Sequence, residues 1–100
     1  MTEAPIEALQ DAIRHTHACE ATFVERVPIR ETFRGEVVWE GAVSVFDLVG
    51  HPQATRAYAW SHATEGAKRR FYAVLHLGPV DSPIAAVRAA IVADARAKRN

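Results

Sequence analysis

The stretch EVVWEGAVSVFDLVGHPQATRAYAWSH, residues 36–62, places two runs rich in valine, alanine and aromatic residues on either side of Gly50-His51-Pro52-Gln53. β-Branched and aromatic side chains suit a pleated, half-buried strand. Gly50 can take a positive φ and Pro52 has its φ pre-set, so the four residues between the runs read as a turn. The second half also crowds His51, Arg56, Tyr58, Trp60, Ser61 and His62 into the thirteen residues from Gly50 to His62. That composition suits an active site as well as a strand, and the rest of the chain has to separate the two readings.

The same strand-like composition extends over residues 20–78, with further turn signals at Arg34-Gly35-Glu36 and Thr64-Glu65-Gly66-Ala67. Three turns delimit four strands, near 21–33, 36–48, 55–62 and 70–77. Pro28 cannot donate to a ladder and marks the first as an edge or bulged strand. Before the strands, Ile6, Leu9, Ala12 and Ile13 recur at three- and four-residue spacing, which predicts a helix over about 4–19 with Pro5 in its first turn. After them, Asp81 or Ser82 can cap a helix of about 83–97 that starts at Pro83 and carries Ile84, Val87, Ala90, Ile91 and Ala95 on one stripe. Short loops favour a four-stranded antiparallel β-meander flanked by N- and C-terminal helices, an α-β-β-β-β-α order within one α+β domain, residues 1–100. Both helices are expected on one sheet face.

One hundred residues can bury one core, and a 49% apolar share argues against a disordered chain. Twelve basic and twelve acidic side chains cancel, so no general positive field draws the protein to phosphate backbones. The single cysteine, Cys19, forms no internal disulfide, and the N-terminus MTEAPIEALQ is neither a secretory signal nor a membrane span. A reducing, cytoplasmic setting follows as the expectation, with no cofactor and no membrane.

If the turns centre near 51–52 and 66–67, Val43 and Val45 lie beside Trp60 and Tyr58, and these beside Ala73 and Leu75. One face then collects Trp39, Val43, Val45, Tyr58, Trp60, Phe71, Leu75 and Leu77 as the core. The opposite face, with Phe46, Tyr72 and His76 among alanines and serines, is left open as a docking surface for a protein or for a second copy of the chain. Turn residues Glu65, Lys68 and Arg69 extend it, and His51, Arg56 and His62 remain available to a partner.

Signals for chemistry are weak. His15 and His17 lie about 200° apart on a helix, and no histidine pair has zinc-type spacing, so no metal site is expected. Ser61 and His62 are strand neighbours and point to opposite faces. Cys19 one turn after His15 suits a lowered-pKa thiol, but an inert cysteine is the simpler reading. The glycines at 35, 41, 50, 66 and 78 are isolated, not a phosphate loop. The run AKRRF, residues 67–71, with Arg56, Tyr72 and the tail Lys98-Arg99, supports an alternative as an RNA- or single-strand-binding domain. Double-stranded-RNA-binding domains have a similar element order, yet here helix 2 opens SPIAAVRAAI without a lysine cluster and a strand is added.

The segment VVWEGAVSVFDLVGHPQATRAYAWSHATEGAKRRFYAVLHLGPVDSP, continued through helix 2, resembles small proteins of alphaproteobacteria and their prophages, among which are the anti-CRISPR inhibitors. That resemblance implies a non-enzymatic, phage-borne module acting in the bacterial host cell. It would bind a Cas protein or a crRNA-guided type I surveillance complex and block its engagement of target DNA. The class supplies no catalytic motif to carry over.

Overall fold

The computed structural model describes residues 4–63 and 68–98. Its elements are α1 Ile6–His17, β1 Glu20–Phe33, β2 Glu36–Val49, β3 Arg56–Ala63, β4 Arg69–Leu75 and α2 Pro83–Lys98. The strands form one antiparallel sheet in the order β1-β2-β3-β4, so the fold is the expected α+β meander between two helices. Local chemistry sets the boundaries. α1 ends at Ala18, left-handed at φ 56°, whose N–H donates to the Arg14 carbonyl. Arg34 and Gly35 both have positive φ, 54° and 83°, the two-residue hairpin geometry whose twist matches that of its strands. Ser82 caps α2, its Oγ accepting the Ala85 N–H at 3.2 Å.

β1 is an edge strand, as Pro28 requires. It and β2 each run 14 residues, against 8 and 7 for β3 and β4, so their hairpin continues past the rest of the sheet as an arm. Val24 is an extra residue on β1 between Phe23 and Glu25, and Val38 an extra residue on β2 between Val37 and Trp39. Two bulges on opposite strands cancel, and the register after the second equals that before the first.

β2 and β3 pair as expected, Val45 opposite Tyr58. β3 and β4 do not: Trp60 pairs with Tyr72 and Tyr58 with Val74, one residue away from the expected Ala73 and Leu75. The pair Ala63↔Arg69 encloses an odd number of residues, whereas a turn centred between 66 and 67 implies an even one. The slip exchanges the faces of β4, so Tyr72 and Val74 join Tyr58 and Trp60, while Ala73 and Leu75 join Ala57 and Ala59.

The helices accordingly pack on opposite faces, not together on one. Leu9 and Ile13 of α1, with Cys19, lie on Phe46, Ala57 and Ala59. Ala86 and Val87 of α2 lie on Val43, Val45, Tyr58 and Trp60. The physical reason is that both faces of β2 and β3 are apolar. One is built of aromatic and branched residues and the other of alanines around Phe46, and an uncovered apolar face would stay in contact with water. Alanines form a flat bed on which a helix sits closely. Ser44, buried among them, has its Oγ bonded by the Arg26 Nε at 3.0 Å.

Candidate functional site

Beyond the point where β3 leaves β2, the arm carries apolar side chains that neither helix covers. Phe33 is 62% exposed and Val38 49%, while Val37, opposite Thr32, is exposed on the other face of the arm. Phe33 and Val38 join Ile91 and Val92 of α2 in lining an apolar groove of about 430 Å3. Arg88 closes the groove on one side by donating to both carboxylate oxygens of Glu31, which ties α2 to β1. Those hydrogen bonds, with the guanidinium charge, hold the Glu31 carboxyl below the usual carboxylate range against a smaller opposing effect of desolvation.

The separation of the strands makes a second feature. Ladder pairing of β2 with β3 ends at Ser44↔Ala59, while β1–β2 and β3–β4 pairing continue, so the sheet forks. The fork holds a cleft of about 90 Å3, lined from one side by Arg26, Ser44 and Trp39 and from the other by Trp60, Ser61 and Arg69. Trp39 and Trp60 meet edge to face across it at 5.9 Å. The Trp39 ring lies over Gly41, where an added Cβ would stand 3.2 Å from it.

At the opposite end of β3, the Tyr58 hydroxyl and His76 Nδ1 are 2.6 Å apart, beside the Arg56–Asp47 pair at 3.2 Å. Burial is the main cause that pushes the Tyr58 phenol up, with the Asp81 charge adding and the Arg56 charge opposing. Tyr72 stacks on Trp60 at 5.1 Å and donates its hydroxyl to Asp94. Burial first, and then Asp94, pushes its phenol up.

The expected docking residues are therefore dispersed. Phe46 is fully buried under α1 and presents nothing to a partner, which corrects its placement on an open face. Tyr72 and His76 lie on the α2 side and are part of internal contacts. His51 shapes its turn, its Nδ1 accepting the N–H groups of Gln53 and Ala54. Arg56 pairs with Asp47 and Arg70 with Asp94, so these cations do not pool into one basic surface. His62 is exposed over the Tyr72 ring and Lys68 is exposed, while Arg69 donates to Ser61. Glu65 lies outside the described residues. The cysteine alternative meets a buried Cys19 whose thiol is pushed up by desolvation and by Glu20, the reverse of activation. Among the described residues no three metal-ligating side chains gather, and no helix is long and apolar enough to cross a membrane.

Phe33, Val37 and Val38 were not among the expected site residues. A signal for them exists in the chain: two strands of about thirteen residues facing two of about eight must leave an arm without sheet neighbours. The chain matches no protein-family model, no curated protein and no solved structure.

Proposed function

We propose that this chain is a protein-binding module, not an enzyme, and that it docks through the arm. The observation that carries this reading is the exposed apolar surface of Phe33 and Val38, continuous with the groove beside α2 on the arm that runs past the rest of the sheet. Apolar side chains held on a rigid hairpin contribute contact area with little ordering cost on binding. Zero net charge and arginines already paired with Asp47 and Asp94 favour a protein partner over a nucleic acid.

The partner drawn from the resemblance is a Cas protein or a crRNA-guided type I surveillance complex whose target-DNA binding is blocked. The test is binding of the purified protein to a reconstituted complex, followed by target-duplex binding in its presence. Association at micromolar or lower protein is expected, with Val38→Asp and Phe33→Ser weakening it about tenfold or more. No association at that concentration would sink the partner assignment. Equal binding by both variants would sink the arm as the docking surface. Salt-sensitive shifts of mixed oligonucleotides by the protein alone would favour the nucleic-acid alternative.

A further inference from the structure

We propose that the fork between β2 and β3 is a binding site for a small monocarboxylate, separate from the arm surface. The Leu48 N–H donates to the Thr55 carbonyl, so even-numbered residues of β2 direct their main-chain groups toward β3. The Arg56 carbonyl accepts from the His76 N–H, so even-numbered residues of β3 face β4 and odd-numbered ones face β2. Ser44 and Ala59 form the last ladder pair, and Ala42 and Ser61 are therefore the next two residues whose main-chain N–H and C=O groups point into the fork without a ladder partner.

Side chains add donors from both walls. Arg69 donates from Nε to the Ser61 Oγ at 3.1 Å, which fixes its guanidinium against the cleft, and among the described residues its two Nη nitrogens bond nothing else. On the other wall Arg26 donates from Nε to Ser44 at 3.0 Å and from Nη2 to the Ala4 carbonyl at 3.2 Å, and so holds the Ser44 hydroxyl, the donor on that side, at the cleft. Guanidinium, hydroxyl and main-chain N–H groups around one space are the donor set for a planar oxyanion. Glu40 also lines the cleft, with Arg30 as its ladder partner, and its charge disfavours a dianion such as phosphate.

Size and lining select further. About 90 Å3 is the room of about three waters, enough for an acid of a few carbons. The Trp39–Trp60 contact spans the fork and leaves no path for an inserted strand. Ala4, Leu9 and Ala42 provide apolar surface for a short alkyl tail.

Trp39 and Trp60 are the protein's two tryptophans, and both line the cleft, so indole fluorescence and indole N–H resonances report the site directly. Titration with acetate and propionate at constant ionic strength should shift these signals saturably. Acetamide, a neutral isostere, should not shift them. Arg69→Gln should raise the apparent Kd about tenfold or more while the wild-type circular dichroism spectrum is retained, and Ser61→Ala should raise it less. Three results would overturn the proposal: no saturable shift in the low-millimolar range, equal response to acetamide, or tighter binding of inorganic phosphate than of propionate. Unchanged arm docking in Arg69→Gln is expected, which keeps this test distinct from that of the arm.

Discussion

Tyr58 and Tyr72 show how single side chains hold the α2 side of the sheet. Each phenol is pushed above its ordinary value near 10, chiefly by burial. A pKa raised in the folded state means that folding favours the neutral phenol. That contribution is complete below the unfolded value and disappears as pH rises through the folded value. Alkaline titration should therefore show less tyrosinate absorbance at pH 10 than free tyrosine gives while the fold persists, with the remainder appearing at higher pH. Tyr58→Phe leaves Tyr72 as the sole tyrosine and separates the two transitions. Ordinary ionisation at pH 10 with intact circular dichroism would contradict the burial described. At this scale the sequence was partly legible: Tyr58 and Trp60 read as core residues and are core residues. Tyr72 read as a docking residue because its neighbours depended on a register that one side chain cannot reveal.

The elements and their order followed from turn residues and apolar spacing, and the strand pairing followed wherever a turn had a fixed length. Gly50-His51-Pro52-Gln53 leads to the β2–β3 register directly. The odd-length connection between Ala63 and Arg69 does not announce itself, because Gly66 permits turns of either parity. One residue of slip then reversed β4, and with it the apparent availability of the face that carries Phe46. The two-sided packing has a mutational signature. Phe46→Ala should cost about 3–5 kcal/mol in urea unfolding, the price of a cavity in a core. Phe71→Ala, on the exposed edge strand, should cost clearly less. Similar values for the two would mean that α1 does not cover Phe46.

Across the described residues, a single sheet is held between two helices, and the Arg88–Glu31 ion pair links α2 to the edge strand β1. Arg88 keeps the Glu31 carboxyl below its ordinary range, so its contribution to stability is present above the unfolded value of about 4.3 and is lost as pH falls through the folded value. The difference in urea midpoint between wild type and Glu31→Gln should be measurable at neutral pH and vanish in acid. A difference that persists in acid would assign the effect to packing. The arm was legible in the unequal strand lengths, but its groove and the fork were not, because they depend on where α2 packs and on where β3 parts from β2. The paired bulges have a consequence for the history of the chain. An extra residue at Val24 or Val38 is accommodated without turning neighbouring side chains over, so either valine can be deleted with the faces of β1 and β2 preserved. Removal of Arg26 or Ala42 would instead reverse everything up to the next irregularity. Length variation among descendants of this fold should therefore concentrate at those two valines, the places where the sheet tolerates insertion and loss.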